Sequence, residues 1–147
     1  MARQRSQGLK ALIKIAENAV NEALSFMGSV QQKIDAEKEK KETLIQYEMD
    51  YQSAFLQKGQ TGVNGNAIEQ HEAFMVQIQQ ALDNQSHHLR QLDAQLQKAQ
   101  EMYSQLNQKL KSYQKLEARL SERALQLENR KMQSMLDEIA LQMHARK

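Results

Sequence analysis

A short glycine-rich stretch near the middle of the chain decides its fold. It reads Lys58-Gly59-Gln60-Thr61-Gly62-Val63-Asn64-Gly65-Asn66 and holds three of the five glycines in the chain. Both flanks are rich in strong helix formers, and their apolar residues recur at steps of three and four. We therefore expect a hairpin turn at about residues 59–66 between two very long helices.

Composition supports a helical rather than a globular protein. The chain has 147 residues with no Pro and no Cys, and only 5% of its residues are aromatic. Helices therefore meet no proline, and disulfides and cysteine metal sites are excluded. The net charge of +2 has its signs interspersed, which gives no strong attraction to nucleic acid. No apolar run approaches the ~20 residues that cross a bilayer, and no signal peptide is expected, so we predict no direct bilayer insertion.

The first helix is predicted over about residues 7–58. Ser6 is a candidate N-cap, and Gly59 is a candidate left-handed residue after the helix, with Lys58 favourable to the helix dipole. A charged stretch at 35–42 interrupts the apolar seam, which then returns towards the turn. Before that interruption the seam has coiled-coil spacing and consists of Leu9, Ile13, Ala16, Val20, Ala23, Met27, Val30 and Ile34.

The second helix is predicted over about residues 67–145. Asn66 can cap it, and Glu69 completes a capping-box pattern. No stop signal precedes the C-terminus. Its apolar seam consists of Ile68, Met75, Ile78, Leu82, Leu89, Leu92, Leu96, Ala99, Tyr103, Leu106, Leu110, Tyr113, Leu116 and Leu120.

Folding the chain at the turn brings together residues whose numbers add to about 125. Tyr51 then meets Phe74, and the charged stretch 35–42 meets residues 83–88, where the second helix also turns polar. This agreement favours an all-α, antiparallel coiled-coil hairpin, which we expect to be a single coiled-coil domain over residues 1–147.

The two helices have unequal predicted lengths. Residue 7 pairs near residue 118, so residues 119–147 have no partner within the chain. This overhang nevertheless keeps an apolar stripe, and an amphipathic helix with nothing covering it implies another molecule. The alternatives are docking into a partner's groove or ring, self-association of the chain into a bundle, and a frayed tail. The stripe consists of Leu120, Ala124, Leu127, Met132, Met135, Leu136, Ile139 and Met143.

Aromatic residues concentrate beside the turn. Four of the seven aromatics are here: Tyr47, Tyr51, Phe55 and Phe74. They form either the core of the coiled coil at its tip or an exposed interaction patch, because a two-helix rod cannot bury them fully.

Other chemistry has weak support in the sequence. His71, His87 and His88 lack the i, i+4 spacing of a metal site, and His88 is expected to face Glu37 instead. No phosphate-binding loop and no nucleophile with a base is present, so we predict no enzyme activity and no cofactor. Basic residues at both termini lack the aromatic residues typical of nucleic-acid binding, so no nucleic-acid partner is expected.

The chain resembles the FliJ family of flagellar type III export proteins along essentially its whole length. The resemblance rests on the two-helix layout, the run Leu44-Ile45-Gln46-Tyr47-Glu48-Met49-Asp50-Tyr51 before the turn, and Phe74, Ile78 and Ala81 after it. It also rests on the ending, with Glu128-Asn129-Arg130, Asp137-Glu138-Ile139-Ala140 and Arg146-Lys147.

The resemblance implies a stalk or adaptor similar in shape to the coiled-coil stalk of rotary ATP synthases. Such a protein binds the flagellar export ATPase ring and promotes its assembly. It links the ring to the membrane export gate protein, escorts export chaperones, and is needed for motility. The expected location is cytoplasmic, peripheral to the inner face of the cell membrane at the flagellar base. The chain alone is expected to be a monomer.

The resemblance also assigns residues to two surfaces. The gate-binding patch comprises Leu44, Tyr47, Tyr51, Phe74, Ile78, Ala81 and Gln85, the last at a position where some members have His. The ATPase-binding segment comprises Leu120, Leu127, Glu128, Arg130, Met135, Leu136, Asp137, Ile139 and Met143. The alternatives are a structural coiled coil that dimerises through its C-terminal helix and a general substrate chaperone.

Overall fold

A computed structural model describes the backbone of residues 2–146 and the side chains of residues 5–146. It contains α1 (Ala2–Gln60) and α2 (Gly65–Ala145), joined by a short turn and packed against each other. The antiparallel helical hairpin expected from the sequence is therefore confirmed. Over the described residues, neither helix contains a segment apolar enough to cross a membrane.

The end of α1 differs from the sequence-based expectation. The backbone N–H and the hydroxyl of Thr61 both donate to the Lys58 carbonyl oxygen, at 3.1 and 2.8 Å. These bonds satisfy a carbonyl at the helix end and carry α1 on to Gln60. The left-handed residue is consequently Gly62, with φ of 95°, so the assignment of Gly59 to this role was wrong.

Both predicted N-caps were also wrong. α1 already begins at Ala2, so Ser6 lies inside the helix. α2 is capped by Asn64, whose Oδ1 accepts a 2.9 Å hydrogen bond from the backbone N–H of Ala67. The helix therefore starts at Gly65, two residues before the expected start, and Asn66 lies in its first turn.

The chain divides into two compact units, and the unit nearer the turn comprises residues 23–102. Its most deeply buried side chains are Ile34, 1% exposed, and Val30, 2% exposed, which pack with Leu92. Leu89 and Leu96 cover this cluster from α2. In heptad notation, where a and d mark the buried seam, these residues occupy a and d positions of both helices.

The heptad pattern of this unit continues through the charged stretch. At its a and d positions, Glu37 and Lys41 on α1 and Gln85 on α2 are all half-buried. The seam therefore does not lapse at residues 35–42, as the sequence suggested, but is filled by polar side chains. We call Glu37 and Gln85 the polar waist.

The other unit pairs residues 1–22 with residues 103–147, and its described part has one buried cluster. Tyr113 and Leu120 are partly buried against this cluster, as are Tyr103 and Leu106. Leu116 is exposed, so its assignment to the seam was wrong. The buried cluster consists of Leu9, Ile13, Ala16, Val20 and Leu110.

Replacing Ile34 by Ala tests the packing of the hairpin. The variant should lose about 2–5 kcal/mol of unfolding free energy, because deleting buried methyl groups leaves a cavity. Ile15→Ala, at an exposed position of the same helix, is the control and should change stability by less than about 0.5 kcal/mol. Urea unfolding followed by circular dichroism measures both variants. Equal losses would contradict the described seam, and two transitions would contradict a single coiled-coil domain over 1–147.

Candidate functional site

The aromatic residues beside the turn form a continuous ladder of five rings. The ring of Phe74 lies 5.9 Å from Tyr47 and 4.1 Å from Tyr51, between ring centroids. The ring of His71 then stacks on Tyr51 at 5.4 Å and on Phe55 at 3.8 Å, nearly parallel to both. Each aromatic pair stabilises the folded chain by about 0.5–1.5 kcal/mol beyond the contribution of its burial. The ladder therefore helps to hold α1 and α2 together near the turn.

The residues assigned to the gate-binding patch, here called the tip patch, differ in exposure. Tyr47 is 55% exposed and Ala81 is also exposed, whereas Leu44, Tyr51, Phe74 and Gln85 are half-buried. Ile78 is only 5% exposed, so it lies beneath the surface that the other six present. The patch is therefore both core and surface, and its binding role stays a prediction.

His71 is the residue of this region that the sequence analysis missed. It was weighed only as a metal ligand, yet its ring joins the ladder between two α1 side chains. Its position seven residues before Ile78, at the d position of the preceding heptad, could have identified it as a seam residue. Its ring Nδ1 is shielded from solvent and has no hydrogen-bond partner among the described residues.

The polar waist joins the two helices by a side chain-to-backbone hydrogen bond. Gln85 Nε2 donates to the Glu37 carbonyl oxygen at 2.9 Å and to Glu37 Oε2 at 3.4 Å. The same carboxylate accepts from Lys40 Nζ at 3.4 Å. The Gln85 hydrogen bond is the main cause that lowers the pKa of Glu37, with smaller contributions from Lys40 and His88. The expectation that His88 faces Glu37 stays a prediction.

An open groove runs beside the waist and continues onto the tip patch. Gln85 lines it, and its Oε1 is buried without a hydrogen-bond partner among the described residues. The groove thus has apolar walls beside the polar side chains of the waist. Its lining consists of Ala36, Glu37, Glu39, Lys40, Thr43, Leu44, Tyr47, Ala81, Asn84 and Gln85.

Within the part of the chain that the structure describes, no helix covers the C-terminal part of α2. All residues from 121 to 146 are exposed, and α2 remains one helix to Ala145. This segment, here called the tail, is about 38 Å long. Leu120, assigned to the overhang from sequence, instead packs against the buried cluster of α1. The predicted overhang is therefore confirmed from Ser121 onward.

The apolar side chains of the tail lie on more than one face. Leu127 continues the hairpin seam, but Lys131 and Glu138 occupy the following a positions. A new apolar stripe starts at Leu125 and is turned away from the seam. Arg130 and Asp137 lie roughly 140–160° around the helix from Met132 in that stripe. The stripe consists of Leu125, Met132, Leu136, Ile139 and Met143, all exposed.

The tip and tail residues assigned from the sequence are thus found in different units. In the tip patch, Tyr47, Tyr51 and Phe74 meet in the ladder, and Leu44, Tyr47, Ala81 and Gln85 line one groove. The tail residues are dispersed around one helix. Among the described residues, no group of three or more His, Cys, Asp or Glu side chains is arranged to hold a metal ion.

Comparisons with known proteins point to one family over nearly the whole chain. The family model described as "Flagellar FliJ protein" matches residues 5–147. The flagellar FliJ protein of Escherichia coli (strain K12) is 26% identical over 139 residues, covering 95% of each chain. The flagellar FliJ protein of Salmonella typhi is also 26% identical, with 95% of each chain covered. No solved structure matches the chain.

Replacing Gln85 by Ala should raise the pKa of Glu37 towards its ordinary value of 4.5, because the main cause of its lowering is removed. A lowered pKa contributes stability above the pKa of the unfolded state, and that contribution disappears as pH falls through the folded-state pKa. The variant should therefore lose less stability than the parent over this acidic range.

NMR titration of the Glu37 side-chain carboxyl carbon measures this change. Gln79→Ala is the control, because it removes only the local hydrogen bond to Asp83. An unchanged Glu37 titration in the Gln85 variant would contradict the waist geometry.

Proposed function

The chain belongs to the FliJ family of flagellar export proteins, and we propose that it is a non-enzymatic coiled-coil stalk of the export machinery. In this proposal the tail binds the export ATPase ring and promotes its assembly, and the tip patch contacts the membrane export gate. The chain also escorts export chaperones. It acts in the cytoplasm, peripheral to the membrane at the flagellar base.

The observation that carries the proposal is the uncovered tail. Removing apolar surface from water is favourable by about 25 cal/mol for each Å². A partner that covers Met132, Leu136 and Ile139 on this helix of roughly 25 residues would therefore stabilise the complex. Methionines adapt to surfaces of varied shape, which suits a partner with several similar subunits.

The distribution of the tail residues favours a ring over a groove. A groove covers one face of a helix, as in helix-in-groove recognition. The residues that the family resemblance assigns to ATPase binding surround α2, because Arg130 and Asp137 lie far around the helix from Met132. A ring that encloses the helix can contact all of them at once.

Binding to an assembled ring also explains promotion of assembly. A ligand that binds only the assembled state stabilises that state by mass action. A tail that contacts several subunits together meets this condition. The tip patch supports the second contact, because exposed tyrosine is favoured in the energetically dominant part of interfaces.

Deleting residues 128–147 tests the ring contact. The shortened chain should no longer stimulate ATP hydrolysis by the cognate export ATPase, because it lacks most of the tail. The chain with Leu56→Ala, an exposed position close to the turn, is the control and should stimulate normally. Full stimulation by the shortened chain would contradict the docking role of the tail. Light scattering on the free chain tests the competing proposal of a dimer.

Tyr47→Ala combined with Phe74→Ala tests the gate contact. This variant should bind the export gate protein at least roughly tenfold more weakly and should reduce motility, since it removes both rings at the outer end of the ladder. Ile45→Ala with Met49→Ala, exposed residues of the same stretch of α1, is the matched control. Helicity is checked by circular dichroism. Normal motility of the first variant would count against the gate contact.

A further inference from the structure

One long side of the unit formed by residues 23–102 has a composition that the proposed function does not use. In the heptad pattern, residues at e and g flank the seam on its two sides. Tyr47 and Ala81 both occupy g and both line the groove. Lys40 and His88, one heptad further from the turn, both occupy g and both act on Glu37. The g residues of the two helices therefore share one side of the hairpin.

Two more heptads along this side lies a second pair of apolar residues. Because the helices are antiparallel, moving one heptad away from the turn means seven residues back along α1 and seven residues forward along α2. Three such steps lead from Tyr47 to Phe26 and from Ala81 to Met102. Phe26 is 55% exposed and Met102 is 61% exposed. We call this pair the second anchor, and it lies about 31 Å along the helix from the tip patch.

The surface between the two anchors is basic. Its g positions, and the c positions next to them, include three lysines, Lys33, Lys40 and Lys98, together with His88 and no acidic residue. Lys40 is paired with Glu37 of the waist, and both Glu37 and Glu39 line the groove. Lys33 and Lys98 are exposed.

The opposite side of the hairpin, formed by e and b positions, has a net negative charge. Over the same length, its e and b positions contain four acidic residues and two basic ones, so the two sides of one hairpin differ in sign. A partner with acidic side chains is therefore attracted to the g side and repelled from the e side. The acidic residues are Asp35, Glu42, Asp83 and Asp93, and the basic residues are Lys38 and Arg90.

We propose that the g side binds an acidic amphipathic helix of a partner protein, which lies along the groove as a third helix. Its apolar side chains rest on the second anchor and on Tyr47 and Ala81, and its carboxylates lie near Lys33 and Lys98. Two helices present a groove that a third helix fills by its apolar face.

The proposed binding surface overlaps the tip patch, and so the proposed gate contact, only at Tyr47 and Ala81. The remaining determinants, the second anchor and the lysines, lie outside that patch. Its test needs no component of the export machinery, so its failure is distinguishable from failure of the proposed function.

The probe is a fluorescein-labelled synthetic helical peptide of about 28 residues, ~42 Å long, with leucines at heptad spacing and glutamates beside them. A second peptide replaces every glutamate by lysine. Fluorescence anisotropy with the full chain should give at least roughly tenfold tighter binding of the acidic peptide. Raising the salt concentration should weaken that binding, because the charges are exposed.

Variants identify the side that binds. Phe26→Ala with Met102→Ala, and separately Lys33→Glu with Lys98→Glu, should each weaken acidic-peptide binding at least roughly tenfold. The matched controls, Leu24→Ala with Ile45→Ala and separately Lys38→Glu, lie on the e side and should not weaken it. All seven positions are exposed, so the hairpin is expected to remain folded, and circular dichroism checks this.

Site-specific labels locate the peptide directly, because the chain has no cysteine of its own. A fluorophore on Ser29→Cys, on the g side, should change its emission on binding, and one on Gly28→Cys, on the e side, should not. A Cβ added at Gly28 would meet no atom of α2 or of a nearby side chain within 4 Å among the described residues, so this control is tolerated.

Three results would overturn the proposal. The first is equal binding of the acidic and basic peptides. The second is equal weakening by the e-side and g-side variants. The third is binding to vesicles that contain anionic lipid without binding to the acidic peptide. That result would identify the g side as a membrane-binding surface, because basic surfaces with exposed apolar side chains also bind anionic lipid. A chain that binds the acidic peptide but fails to bind the ATPase and the gate would leave this inference standing and overturn the proposed function.

Discussion

The structure depends on the difference in length between its two helices. α1 has 59 residues and α2 has 81, and the turn that joins them is short. Leu120 packs against the buried cluster near the start of α1, and all described residues of α2 after Leu120 are exposed. The apolar stripe that starts at Leu125 lies beyond that point and is exposed, and the proposed external partner rests on this exposed stripe.

The heptad pattern converts this simple hairpin into surfaces with different chemistry. Seam positions hold the two helices together, and flanking positions decide what each side offers to other molecules. At the waist the pattern is kept but polar side chains fill it, and Gln85 binds a backbone carbonyl of α1. Such a polar contact within an apolar seam favours one alignment of the helices over slipped ones, at some cost in stability.

Much of this arrangement was predictable from the sequence because it follows from periodicity. Steps of three and four residues gave the hairpin, the alignment of Tyr51 with Phe74, and the unpaired tail. Local hydrogen bonds were harder to predict. The turn region contains three glycines and two asparagines, and each could end the first helix or cap the second. Which of them does so depends on the hydrogen bonds that Thr61 donates and that Asn64 Oδ1 accepts.

The candidate sites were predictable in location but not in detail. An aromatic cluster on two helices has to be partly exposed, yet nothing in the residue types shows that Ile78 is covered while Tyr47 is not. His71 was missed because its residue type suggested metal binding, whereas its heptad position determines its contacts with Tyr51 and Phe55. The second anchor escaped notice because Phe26 and Met102 are far apart in sequence and lie outside the seam.

Hydrogen–deuterium exchange of the tail tests most directly whether this uncovered helix is a docking segment. In the free chain, backbone amides from Ser121 to Ala145 should exchange faster than those of α2 beside α1, near Leu110, because no partner restrains local opening. Adding the cognate export ATPase should slow exchange selectively in the tail. A tail that is already protected in the dilute free chain, or one whose exchange the ATPase leaves unchanged, would contradict the central claim.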